Sequence, residues 1–181
     1  MIPVLDLRIA KFYMNVARQC AEMSRAIRLK VGSVVVKNNN IISFSWNGMP
    51  AGWDNNCEDR IYNTKFKEQV EGGKWIDPDT YKVVDIEDHY PFIDENEQRY
   101  CLKTKPEVLH AERNALDKLV KTGIMGGEGA VLFTTHSPCL ECAKSIYGSG
   151  IKKVYFGEQY RDTAGLDFLH QCNIEIEQLN V

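Results

Sequence analysis

Apolar side chains recur at steps of three and four at Ile9, Phe12, Val16, Cys20, Met23 and Ile27. That stripe predicts one amphipathic helix over residues 6–28 with Cys20 on its core face. The β-branched run Val31-Gly32-Ser33-Val34-Val35-Val36 predicts a short buried strand. Lys37-Asn38-Asn39-Asn40 is turn-forming, and Ile41 to Trp46 reads as a second strand, which makes a hairpin. Asn47-Gly48-Met49-Pro50-Ala51-Gly52 then breaks regular structure. The second half alternates: helix 110–122 closed by Gly123, strand 130–134, helix 139–148 ending near Gly150, strand 152–156, helix 163–171, and an edge strand at Ile174-Glu175-Ile176. Helix 110–122 is expected to turn Leu116, Leu119 and Val120 to the sheet and Arg113, Asp117, Lys118 and Lys121 outward. Strands alternating with helices imply right-handed parallel crossovers and a three-layer α/β/α fold.

Composition narrows the function classes. The chain has 181 residues, 44% apolar and 26% charged, which suits one folded domain rather than disorder. Its net charge of 22 − 25 = −3 argues against a bulk basic nucleic-acid surface. No apolar stretch is long enough to span a membrane. The start, Met1-Ile2-Pro3-Val4-Leu5-Asp6-Leu7-Arg8, lacks the basic and then apolar stretches of a secretory leader, so a cytoplasmic chain is expected. In that compartment the six cysteines are core residues or metal ligands rather than disulfides. Residues 54–98 carry 13 acids and 5 bases, a local −8 that leaves +5 for the remainder. They read as an acidic, loop-rich insertion with short helices, at about 53–107, within a single domain spanning 1–181.

Two short motifs carry the chemistry. His110-Ala111-Glu112 opens one helix, and Pro138-Cys139-Leu140-Glu141-Cys142 opens another. Cys139 and Cys142 are three apart and share a helix face. A helix N-terminus stabilises thiolates, the form zinc binds. One imidazole and two thiolates make three protein ligands, which leaves a fourth position for a water whose pKa zinc lowers towards ~7. Glu112, two residues from the His110 ligand, suits a proton shuttle. Each motif alone is weak; a strand between two helix starts makes the pair specific for hydrolytic deamination of a nucleobase. The competing readings are a deaminase of another base, nucleoside or RNA, and a zinc-stapled nucleotide-binding regulator without catalysis.

The chain resembles the deoxycytidylate deaminases of the zinc-dependent cytidine deaminase-like superfamily, in their phage and bacterial form. The resemblance rests on Val31-Gly32-Ser33-Val34-Val35, Trp46-Asn47-Gly48-Met49-Pro50-Ala51-Gly52, His110-Ala111-Glu112-Arg113-Asn114-Ala115, Ser137-Pro138-Cys139-Leu140-Glu141-Cys142 and Gly150-Ile151-Lys152-Lys153-Val154-Tyr155. It implies a mixed five-stranded sheet and hydrolysis of dCMP to dUMP and ammonia, which supplies thymidylate synthesis. It further implies a hexamer in the cytoplasm (the host's, if the source is viral), activated by dCTP carrying Mg2+ and inhibited by dTTP. Trp46 replaces the family's frequent Tyr, and the long insertion matches no family pattern residue by residue.

The resemblance also distributes roles. Asn47 goes to the substrate's sugar hydroxyl, with a simple turn as the alternative. Arg28 goes to the 5′-phosphate, with an ordinary helix-end role opposing it, and Ser24 assists from the same face. Tyr155 and Tyr160 line the nucleotide pocket, against core packing for Tyr155. Ser137 offers its backbone to the substrate amine, or else caps the helix. Asn47, Gly48, Met49, Pro50 and Gly52 form an effector loop whose amides face phosphates. His136 is expected to point away from the metal, and His170 and Cys172 to be structural. Cys57, His89 and Cys101 with Glu107 are the candidates for a second zinc.

Overall fold

A computed structural model describes residues 5–66, 70, 74–123 and 127–180. The Met1–Val4 part of the leader reading lies outside the described residues. In chain order the elements are α1 (Leu7–Glu22), β1 (Gly32–Lys37), β2 (Asn40–Trp46), β3 (Glu58–Tyr62), β4 (Trp75–Ile76), β5 (Val83–Val84), α2 (Ile86–His89), β6 (Phe92–Ile93), β7 (Arg99–Thr104), α3 (Ala111–Lys121), β8 (Ala130–His136), α4 (Leu140–Ser149), β9 (Lys153–Glu158), α5 (Ala164–Gln171) and β10 (Glu175–Gln178). They fall into two compact units, residues 5–57 with 107–180, and residues 58–106. No helix among the described residues is long and apolar enough to cross a membrane.

The first unit is a five-stranded sheet in the order β10-β9-β8-β1-β2. β1 runs antiparallel to both β2 and β8, whereas β8, β9 and β10 are parallel, so the sheet is mixed. The hairpin turn places Asn38 and Asn39 at φ 50° and 59°, the left-handed pair that a two-residue loop with native twist requires. Strand alternation sorts the core into two layers. Val34, Val36, Val131, Phe133 and Tyr155 pack with α1. Val35, Leu132 and Val154 pack with Leu116, Leu119, Ala143, Ile146 and Leu169 from α3, α4 and α5. The result is the three-layer α/β/α arrangement that the alternation implied.

Two helices depart from the expected patterns. α1 stops at Glu22, not residue 28, because the Ser24 hydroxyl accepts the Ala26 amide at 3.2 Å, a local bond that competes with the helical one. Its buried face is Ala10, Tyr13, Met14, Ala17, Cys20 and Ala21. Phe12 is 59% exposed, and Met23 and Ile27 are exposed as well. Small residues win this face because the helix lies very close to the sheet: a Cβ on Gly32 would stand 2.0 Å from the Ala17 carbonyl oxygen. Cys20 is buried, as expected, and burial pushes its thiol pKa up. On α3, Val120 is 78% exposed, whereas Lys118 leans over the Phe44 and Trp46 rings and donates to the Phe44 carbonyl at 2.9 Å.

About half of the second unit's described residues lie in turns and loops, as expected, but its regular structure is mainly β rather than short helices. It holds a three-stranded antiparallel sheet, β3-β7-β6, and the small β4-β5 pair, with α2 the one helix among its described residues. Tyr100 stacks on Phe92 and tilts against Tyr62, with the Arg60 guanidinium 4.9 Å from its ring centroid. Phe66 packs against His89 and Tyr90. Many of the acids are turn formers: Asp77 accepts the Asp79 and Thr80 amides, and Asp94 those of Asn96 and Gln98.

Candidate active site

Two helix starts build the site. His110 is the N-cap of α3 and Cys139 the N-cap of α4, both extended, and neither caps its helix with its own side chain. Both side chains are therefore available to other partners at ends where the helix dipole favours negative charge. Cys142 and Glu112 follow in the respective first turns. The Nδ1 of His110 lies 3.5 Å from Cys139 Sγ and 3.4 Å from Cys142 Sγ, and the three donor atoms lie within 4.8 Å of one another. Ligands about 2.0–2.3 Å from a tetrahedral zinc are separated by about 3.5 Å, so this donor set fits that ion.

Electrostatics agree with a metal seat. Hydrogen bonds from Cys142 and His110 pull the Cys139 thiol down to about 3, so it is a thiolate. Its charge, together with burial and the Glu112 carboxylate, pushes the Cys142 thiol up. The Cys139 partner raises the His110 imidazole. A divalent metal binds both sulfurs as thiolates, so its binding releases the proton that Cys142 holds. Glu112 is 5% exposed, accepts the Cys142 thiol at 3.6 Å, and stands outside the ligand group. Burial raises its pKa above the usual carboxylate range, opposed by its own amide and by His110.

The loop carrying Cys139 is held from several sides. The Ser137 amide donates to the Glu158 carbonyl at 2.8 Å, and the Ser137 hydroxyl accepts the Tyr160 amide at 2.7 Å. Ser137 is therefore no helix cap; it ties Tyr160, half-buried, to the metal loop. A Cβ on Gly165 would meet the Pro138 carbonyl oxygen at 2.0 Å, so α5 starts directly against the loop. Sequence reasoning missed Gly165; a glycine in the first turn of a helix was the available signal. His136 points elsewhere, to Glu158 and Thr135, as expected.

Other candidates are relocated. Ser24 is buried, and its hydroxyl donates to the Asn47 carbonyl at 2.8 Å and accepts the Ala26 amide, so it holds the 24–31 loop. Tyr155 is a core residue, stacked on Phe133 at 4.8 Å in the α1 layer. Arg28 is exposed on the loop that Ser24 holds. The Asn47 side chain bonds both Val31 N and Leu29 O. The effector loop is less open than expected: the Asn47 amide donates to Val31 O, the Gly48 amide to Leu109 O, and Met49 packs beside Ala26, Cys57 and Val108. Pro50 accepts the Trp53 amide, and Gly52, at φ 87°, is exposed. Among the described residues, Cys57, His89, Cys101 and Glu107 form no second group of metal donors, and the acidic segment forms none either.

Comparison with known proteins converges on the same chemistry. The cytidine and deoxycytidylate deaminase zinc-binding region matches residues 7–158. Deoxycytidylate deaminase of Enterobacteria phage T4 is 32% identical over 174 residues, covering 92% of this chain and 88% of the relative. ComE operon protein 2 of Bacillus subtilis is 29% identical over 172 residues, covering 94% and 71%. The crystal structure of dCMP deaminase from the cyanophage S-TIM5 in complex with dCMP and dUMP superposes with a TM-score of 0.70 at 34% identity, covering 97% of this chain and 99% of that one. With its matched segment containing His110, Glu112, Cys139 and Cys142, the chain belongs to the zinc-binding cytidine and deoxycytidylate deaminase family.

Proposed function

We propose that the protein hydrolyses dCMP to dUMP and ammonia. The observation that carries this is the convergence of His110 Nδ1, Cys139 Sγ and Cys142 Sγ beside a buried, non-ligating Glu112; the dCMP deaminases among its relatives point to the substrate. Zinc, when bound by those three residues, supplies Lewis acidity and lowers the pKa of water. Glu112 accepts the proton of the water that adds to C4 of the cytosine and delivers it to N3. It then takes the proton of the new C4 hydroxyl and passes it to the amine, so that the C4–N4 bond breaks, ammonia leaves and a carbonyl forms at C4. The raised pKa of Glu112 suits a group that both takes and gives a proton.

Substrate contacts follow from what each residue has left. The Asn47 amide retains one lone pair and one N–H for a sugar hydroxyl beyond its two loop bonds. Arg28 is the residue for the 5′-phosphate, and the Ser137 backbone and Tyr160 border the metal loop; Ser24 and Tyr155 drop out of the substrate shell. The whole chain, 1–181, acts as one deaminase domain bearing the 58–106 unit as an insertion, in the cytoplasm. Assembly into hexamers, activation by dCTP bringing its own Mg2+ on the triphosphate, and inhibition by dTTP belong to the same proposal, with Gly48 to Gly52 beside the effector. Ammonia release from dCMP, CMP, deoxycytidine and dCTP, with and without a chelator, tests the function. Chelator-sensitive turnover of dCMP above the other three supports it, and preference for another substrate or for RNA overturns it. Light scattering, and a sigmoidal dCMP curve made hyperbolic by dCTP, test the regulation; a monomer with unchanged curves refutes it.

A further inference from the structure

We infer that Asn47 is a positioning residue that locks the 24–31 loop, and with it Arg28, to the segment that delivers His110. This rests on the proposed phosphate role of Arg28. Asn47 is 9% exposed. Its Oδ1 accepts the Val31 amide at 2.8 Å, and its Nδ2 donates to the Leu29 carbonyl at 2.9 Å. The amide thus pairs with a stretch of backbone as a neighbouring strand would. Its own main chain adds two bonds to the same loop: its N–H to Val31 O at 3.0 Å, and its carbonyl from the Ser24 hydroxyl at 2.8 Å.

The next residue faces the other way. Gly48 exchanges both hydrogen bonds with Leu109, at 3.1 and 2.9 Å, and Leu109 directly precedes His110. One dipeptide therefore grips the Arg28 loop with its first residue and the approach to the metal ligand with its second. An apolar contact closes the same junction, since Ala26 from the loop packs with Val108 and Met49. Residues 29–31 are fixed immediately after Arg28, so the guanidinium leaves a held stem. Holding the stem removes the ordering cost that a mobile loop would add on binding a phosphate.

The test compares kcat/KM for dCMP and for deoxycytidine in Asn47→Ala, Ser24→Ala and Arg28→Ala, with zinc content and amide hydrogen exchange measured alongside. Ser24→Ala removes outer support while leaving the Asn47 side chain in place, so it reports even where Asn47→Ala folds poorly. The expected result is a fall in the dCMP-to-deoxycytidine preference of about fivefold or more in Ser24→Ala and Asn47→Ala, approaching the Arg28→Ala value. Zinc content should be unchanged, with faster exchange at Val31. A preserved preference in both loop variants, while Arg28→Ala loses it, overturns the inference and leaves the phosphate reading intact. Equal losses on both substrates in Asn47→Ala, with Ser24→Ala at parental values, leave Asn47 with its sugar contact alone and overturn the locking role. An unchanged preference in Arg28→Ala removes the phosphate reading itself.

Discussion

Gly165→Ala sets two physical effects against each other at the edge of the metal loop. The backbone of Gly165 is not in the left-handed region, so alanine fits its conformation, and helix propensity favours alanine by about 1 kcal/mol. Packing opposes it. The added Cβ would stand 2.0 Å from the Pro138 carbonyl oxygen and 2.8 Å from the Cys139 carbonyl carbon. Reaching ordinary contact at 3.4 Å requires 3.4 − 2.0 = 1.4 Å of separation between α5 and the loop. Both sides of that contact are backbone, so no rotamer change relieves it. Overpacking of this kind costs about 1–3 kcal/mol or more, which exceeds the propensity gain. A net loss of about 1–2 kcal/mol lowers the melting temperature of a chain this size by roughly 2–8 °C. The same displacement moves Cys139, whose distance to a metal tolerates only about 0.2 Å, so zinc affinity should fall at least ~10-fold. Thermal melts and competition with a chromophoric chelator read the two effects separately. A variant that melts at or above the parent with unaltered zinc affinity would refute the close-packing argument.

Two further substitutions probe local physics. Gly52 sits at φ 87° with nothing within 4 Å of a built Cβ, so Gly52→Val should cost about 1–2 kcal/mol through backbone strain alone, whereas Gly48→Ala, with its nearest neighbour at 4.0 Å, should stay within about 0.5 kcal/mol by urea unfolding. Amides of Asp79 and Thr80 and the Lys65 ammonium hold the Asp77 carboxylate below its ordinary pKa, so its stabilisation is present above pH 3.8 and lost as pH falls through its lower folded value. Asp77→Asn should therefore be less stable than the parent at pH 7, with the gap narrowing in acid; a gap independent of pH counts against this assignment.

The metal site was legible because its donors are packed into two short motifs at helix starts, where spacing alone brings Cys139 and Cys142 onto one face and puts Glu112 beside a ligand. The sheet was legible too, since β1, β8 and β9 carry short apolar runs that are buried on both faces. What sequence concealed was distance and side-chain commitment. The bulk of Phe12 and Ile27 suggested a core face, but the close approach of Ala17 to Gly32 decides which side of α1 is buried. Lys118 reads as an outward charge, yet its stem lies over Phe44 and Trp46, and Val120 takes the exposed place. β3 escaped detection because four of its five residues are exposed and show no alternation. Ser24, Ser137 and Asn47 look like ligands by type; each has its polar atoms engaged with backbone of a distant segment, which no local pattern reveals.

Glu112→Gln tests the central claim most directly, because it preserves shape and burial and removes only the ability to carry a proton. Zinc content and dCMP turnover are measured on the same preparation. One zinc per chain with turnover reduced at least ~100-fold is the predicted result. Turnover within a few-fold of the parent, with zinc bound, would contradict the assignment of Glu112 as the proton carrier and the hydrolytic mechanism built on it.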